Sequence, residues 1–248
     1  YLGFRGKEMK KLIVTEEETM LADSAAGFLQ TAAPVSKFRE MRDAGQTHDP
    51  VLWQKMVEQG WSGVLVPEDA GGSDMGFVAA NVLAYEMGKT LTVSPFLSSA
   101  VIAATALRQV SDERATAALG KIASGAATYA LAIDEGIKFD PEGVALAATK
   151  DGNGFRLNGK KQFVVDGANA DRWLVLAHSG DGLTLFDIAA DRAGIMREAS
   201  NMIDARDAAR ITFKDVEATG EDVLGAVSDG MSVLKPAIEA GQAALATE

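Results

Sequence analysis

Near Ala126 the hydrophobic period of this chain changes, and the change dictates two kinds of layer. Up to about residue 125 apolar residues recur at helical spacing. Beyond it they come in short alternating runs, as at residues 129–133 and 144–149, separated by Gly, Asp and Asn clusters. The alternation lasts to about Gly225, and helical spacing returns at Ser228. The pattern predicts an α+β multidomain chain. An N-terminal all-α domain covers 15–125, a middle β domain covers 126–225, and a further helical segment covers 226–248. Residues 1–14 form an N-terminal extension whose first eight residues are either native or vector-derived. Several short strands with hairpin turns make the middle domain a small barrel or sandwich.

Helix ends are signalled locally. Thr15 with Glu18 three residues on is a capping-box pair, and Met20, Leu21, Ala25, Phe28 and Leu29 follow at helical spacing. Asp49 before Pro50 is a cap and first-turn pair for a helix that stops at Gly60. Further helices are predicted over residues 75–88, from Ser94-Pro95 through Arg108, and from Asp112 to near Gly125. The helix from Ser228 carries Val233, Leu234, Ala237, Ile238, Gly241, Ala244 and Leu245, a stripe too wide to leave in water. Something must cover it.

In the middle domain, Asn158-Gly159 is a tight-turn signal. It predicts that residues 154–157 and 161–165 are antiparallel neighbours joined there. Asp166-Gly167 is a second turn signal. Arg172 to His178 then forms a strand with Trp173, Val175 and Ala177 on one face and Leu174 and Leu176 on the other, covered on both sides.

Composition enters mainly by exclusion. Cysteine is absent, which removes disulfides, thiolate metal sites and cysteine nucleophiles and fits a cytoplasmic location. With 24 Lys and Arg against 35 Asp and Glu the net charge is -11, unsuited to a nucleic-acid surface. The two histidines, His48 and His178, offer no metal cluster, so no metal is expected. No apolar run approaches the roughly 20 residues of a membrane span.

Residues 157–171, LNGKKQFVVDGANAD, resemble the LNGxKxWITNGxxAD segment of the acyl-CoA dehydrogenases, and residues 211–225, ITFKDVEATGEDVLG, resemble that family's FxDVxVPxENxLG. Residues 67–73 are similar to its PEEYGGxG loop. The resemblance implies an antiparallel β-barrel middle domain, residues 226–248 as the first helix of a C-terminal helical bundle whose remainder, with a neighbouring subunit, covers that helix's apolar stripe, and FAD as cofactor. It further implies α,β-desaturation of an acyl-CoA thioester, with an electron-transfer flavoprotein as acceptor and a homo-oligomer, or a hetero-oligomer with a homologous subunit, as the assembly.

By the same resemblance the flavin contacts are Tyr129, Leu131 and Ala132, where the family has YxxTEPxAGSD, and Phe163, Val164 and Val165, where it has Trp-Ile-Thr. Phe163 keeps a ring for stacking, whereas Val165 loses the hydroxyl. The family's CoA-binding Asp and Arg fall on Glu239 and Gln242. The catalytic Glu is expected beyond residue 248. One subgroup carries it on the first bundle helix, and that position falls on Gly241; Glu239 and Glu248 are candidates by residue type alone. Two other readings stay open: a non-catalytic partner subunit of a heteromeric acyl-CoA dehydrogenase, and an acyl-thioester-binding module without a redox role. Residue by residue, Trp173 reads as core and Lys160 and Lys161 as a solvated strand edge. Arg206 is either a motif arginine or one half of a surface salt bridge.

Overall fold

The computed structural model describes residues 15–180, 182–200 and 202–248; the N-terminal extension, residues 1–14, lies outside the described residues. Helix α1, Glu16–Ala32, opens on the expected capping box: Thr15 Oγ1 accepts from the Glu18 amide at 3.2 Å, and the Glu18 carboxylate accepts from the Thr15 amide at 2.7 Å. Two of the orphan amide donors of the first turn are thereby satisfied. Helix α2, Val35–Asp43, follows Pro34 and was not foreseen. Helix α3, Pro50–Glu58, is capped by Asp49, whose Oδ1 accepts from Val51 and Leu52 at 3.1 and 3.0 Å, and Gly60 closes it at φ 79°. Helix α4, Gly76–Thr90, leads into π-helical turns over Phe96–Ala103 continued by α5, Ala104–Leu107. Asp112 caps α6, Glu113–Ala123, through the Ala115 amide at 2.7 Å.

The strands then follow without interruption by helix: β1 Tyr129–Ala132, β2 Ala147–Asp151, β3 Gly154–Val165, β4 Arg172–His178, β5 Leu183–Ala189, β6 Ile195–Ala199 and β7 Ala208–Ala218. They form one curled sheet, a half-barrel, in the order β1-β4-β2-β3-β7-β6, with β5 on the other edge of β4. The sheet is mixed rather than wholly antiparallel. β1 runs parallel to β4 from Tyr129 opposite Arg172 to Ala132 opposite Val175, and β2 is parallel to β4 where Ala147 meets His178. As expected, β4 is covered on both faces, with Trp173, Leu174, Val175, Leu176 and Ala177 all fully buried.

Two further expectations fail. The Asn158-Gly159 hairpin does not exist: β3 runs straight through those residues, pairing with β2 on one side and β7 on the other, and the two-residue turn falls instead at Gly152-Asn153, between Asp151 and Gly154. The dipeptide faces a bulge in β7, where three residues from Val216 to Phe213 span two of β3. The β3 register against β7 shifts between Leu157 and Gly159, Gly159 takes φ 148°, and a Cβ there would stand 2.9 Å from Leu146 Cα. Asn158 meanwhile exchanges two hydrogen bonds with Asp215, at 2.9 and 3.0 Å.

The second failure concerns the last helix, α7, Gly230–Thr247. Its apolar stripe is covered within the chain, by the Phe96–Ala103 turns, α4, α5 and β5, with Val233, Leu234, Ala237, Gly241 and Ala244 buried. Ile238 is half-buried and Leu245 remains exposed. Hence the stripe itself does not call for a partner subunit.

Candidate functional site

The C-terminal end of β1 and a bulge in β3 are brought together by a short strap of chain, and the site is built on that junction. Along β1, Tyr129 is buried, its hydroxyl 3.4 Å from Asp187 and its ring below the Arg172 guanidinium. Burial, reinforced by the Asp187 carboxylate, pushes the Tyr129 phenol up, so it stays protonated. Leu131 is half-buried and Ala132 fully buried.

Beyond Ala132 the strap crosses β3. The Gln162 amide donates to Asp134 O at 2.8 Å, and the Gln162 side-chain amide donates to Glu135 O. Lys161 lies fully buried beneath it, its Nζ donating to Ile133 O at 3.0 Å and to Glu135 Oε1 at 2.7 Å. Glu135 also accepts from the amides of Ala145 and Leu146, at 2.8 and 2.9 Å, so one carboxylate ties both ends of the β1-β2 connection to β3. Burial lowers the Lys161 ammonium from its ordinary value while the Glu135 contact pulls the other way. Burial likewise raises Asp134. The reading of Lys161 as a solvated edge is therefore wrong; only Lys160 is exposed. Once β3 is taken as continuous, Phe155, Leu157 and Lys161 share one parity, and that alternation is the signal by which the burial could have been found.

Immediately past Lys161 the β3 register shifts again, up to Val164. Phe163 sits in that bulge at φ 54° with 42% of its surface exposed, while Val164 is buried and Val165 half-buried. An exposed ring on a left-handed backbone, in a strand whose neighbours are core, is the inverse of what burial alone produces.

A cavity of about 190 Å³ opens between the helical layer and the end of β3, lined on its apolar side by Phe38, Met87 and Phe96 and on its polar side by Asp166, Asp204, Arg206 and Glu248. Asp166 is buried, and its Oδ2 accepts from Ser98 Oγ at 2.5 Å. Burial, with the neighbouring Asp207 adding repulsion, raises the Asp166 carboxyl to about 7 against the pull of the Ser98 hydrogen bond. Asp207 accepts from the Asn169 amide and side chain at 3.1 and 2.9 Å through Oδ2, while its buried Oδ1 has no partner among the described residues. Arg206 pairs with the Glu248 carboxylate and, at 3.6 Å, with Asp204, so its salt-bridge reading holds, at a half-buried position on the cavity wall. No local motif marks Ser98, Asp166 and Asp207 as site residues, because their partners are distant in sequence.

Glu239 and Gln242 are exposed on α7 and do not line this cavity. Gly241 is buried, and a Cβ there would stand 2.7 Å from Ile102 Cγ1, so close packing accounts for glycine where one subgroup carries its base. Trp173 is core as expected, with Nε1 donating to Gly167 O at 3.2 Å.

Residues 15–126 match the family model described as the acyl-CoA dehydrogenase N-terminal domain. Among curated relatives, acyl-CoA dehydrogenase FadE27 of Mycobacterium tuberculosis is 32% identical over 158 residues, 63% of this chain and 41% of that protein. A solved chain described as the Tcur3481-Tcur3483 steroid ACAD G363A variant is 27% identical with a TM-score of 0.81, covering 95% of this chain and 63% of that one. The ChsE4-ChsE5 complex from M. tuberculosis shares the fold at a TM-score of 0.82 and 22% identity, over 94% of this chain and 64% of its own. The chain spans about half the length of the curated relatives it matches. With the helical layer matched as a domain and the half-barrel following it in the same order as in these structures, the chain belongs to the acyl-CoA dehydrogenase family.

Proposed function

We propose that the protein takes part in flavin-dependent α,β-desaturation of an acyl-CoA thioester, with FAD against Phe163 and the β1 strap. The observation that carries the reading is the exposed Phe163 ring, held in a strained bulge where burial would otherwise be expected. FAD, when bound, supplies the acceptor for the hydride that leaves the β carbon. The residues present fit its aromatic face better than its polar edge. Phe163 offers a stacking surface, but Val165 has no hydroxyl to donate, so polar contacts there rest on backbone amides. Tyr129 and Ala132, being buried, serve this site by shaping β1, while Leu131 is half-buried. We assign the cavity beside Asp166 to the acyl group. Its electron acceptor is, on this reading, an electron-transfer flavoprotein, and the working form an oligomer. Support for assembly with a homologous subunit is that one structural neighbour is a two-protein complex.

A second reading, a non-catalytic partner subunit, is favoured by specific residues: Val165, Gly241 and Gln242 all lack the polar group that the resemblance asks for. The test is the visible flavin spectrum of the purified full-length protein, followed by anaerobic bleaching with a panel of acyl-CoA thioesters. Retained flavin that bleaches supports the enzyme; flavin only in the presence of a homologous partner supports the second reading. Phe163→Ala should weaken FAD binding by about 1 kcal/mol, or roughly fivefold. Unchanged affinity in that variant contradicts the placement of the flavin.

A further inference from the structure

We infer that Lys161 and Glu135 are positioning residues for the Phe163 ring, acting through the strap rather than by touching a ligand. The inference rests on the flavin reading above. A lysine with no side-chain exposure is costly in the interior of a half-barrel, because its ammonium must be desolvated. Replacing a buried ion pair by apolar residues is often neutral or stabilising, so stability alone is a weak reason for one here. What a leucine at 161 could not do is choose partners. The ammonium selects Ile133 O and Glu135 Oε1, and Glu135 in turn holds the amides of Ala145 and Leu146. With the Gln162 amide on Asp134 O, these bonds fix residues 133–146 across β3 at one register.

That register matters because of what comes next. The β3 ladder is already broken between Lys161 and Val164, and a one-residue slip inverts which side chains face the core. In the observed register Lys161 points in and Phe163 out; in the slipped one the phenylalanine gains burial and the ring surface is lost. Hydrophobicity alone favours the slipped arrangement. The pair of Lys161 and Glu135 opposes it with directional bonds, which makes the exposed ring the outcome of the clamp and not of local preference.

The test uses the full-length protein and two readouts. In the flavin-free form, Lys161→Met should speed amide hydrogen exchange at Gln162, Ala145 and Leu146, the donors held by the strap, while amides of β4 keep their protection. In titrations with FAD, Lys161→Met should raise the dissociation constant by up to about fivefold, the loss expected when the ring itself is removed. In a Phe163→Ala background the same substitution should add almost nothing, since both act on one ring. An equal loss in both backgrounds, or wild-type exchange at all three amides, overturns the inference. Should Lys161→Met fail to fold, Glu135→Gln, which keeps the shape and removes the charge, is read in the same two assays. Wild-type protein that binds no FAD counts against the flavin reading, while the exchange result still decides whether the clamp exists.

Discussion

Strands β3 and β4 come from one continuous stretch and obey opposite rules. In β4 the five residues from Trp173 to Ala177 are all buried, and the strand pairs with β1 and β5 without a register shift. In β3 the register shifts twice, Gly159 and Phe163 take positive φ, a lysine is inside and a phenylalanine is outside. Where local pattern and fold agree, as in β4, nothing but packing is being specified. Conflict between the two, as in β3, is expected at strained or functional positions. The contrast therefore locates the candidate site independently of any sequence motif.

The contrast predicts unequal costs of truncation. Trp173→Ala removes a fully buried indole and leaves Gly167 O without its donor, and it should destabilise by about 3–5 kcal/mol in urea denaturation. Phe163→Ala, at a half-open position on a strained backbone, should cost under about 1 kcal/mol of stability. Similar losses for the two would abolish the distinction between a packing strand and a site-bearing strand.

Much of the fold was legible because its determinants are local. Thr15 with Glu18, Asp49 with Pro50, and Asp112 each announce a helix start within three residues, and each cap forms. The change of period at Ala126 falls between the end of α6 at Ala123 and the start of β1 at Tyr129. The β4 pattern is apolar on both faces and has both faces covered. The site was legible only in part. Asn158-Gly159 carries a valid local turn signal, but the ladder that β7 offers on one side of β3 outweighs it, and the glycine allows a close approach to Leu146. Lys161 looked like an edge lysine because its partner Glu135 lies 26 residues upstream. Likewise Asp166 reads as a turn residue until Ser98, 68 residues away, is seen to donate to it. Polar burial depends on such distant partners, and no window of a dozen residues contains them.

Asp166, just past the end of β3, sharpens the comparison through pH. Its carboxyl is raised from an ordinary 3.8 to about 7, chiefly by burial. Between those values the unfolded chain releases the proton while the folded chain keeps it. Stability contributed by the neutral carboxyl is thus present at low pH, falls as pH rises through this window, and is lost above about 7. Asp166→Asn cannot ionise, so it should be more stable than wild type at pH 8, by up to about 4 kcal/mol and by roughly half of that after structural relaxation. The advantage should shrink towards nothing near pH 4. Urea midpoints at the two pH values check it, and an advantage that does not change with pH means that the buried carboxyl is not the cause.

The smallest effect isolates the backbone of the site from its ring. At φ 54° an L-residue pays about 1–2 kcal/mol for the left-handed conformation, whatever its side chain, and glycine pays almost none. Glycine loses more chain entropy on folding, by roughly 0.5–1 kcal/mol, so the net relief in Phe163→Gly relative to Phe163→Ala is about 0.5–1 kcal/mol. Both variants lack the ring and should weaken FAD binding to the same extent. Stability should separate them and affinity should not. Paired thermal melts and FAD titrations of the two variants resolve the point: a glycine variant less stable than the alanine one shows that Phe163 is not strained in solution, and then its exposure has to be explained by the ring's own contacts and not by a bulge that holds it out.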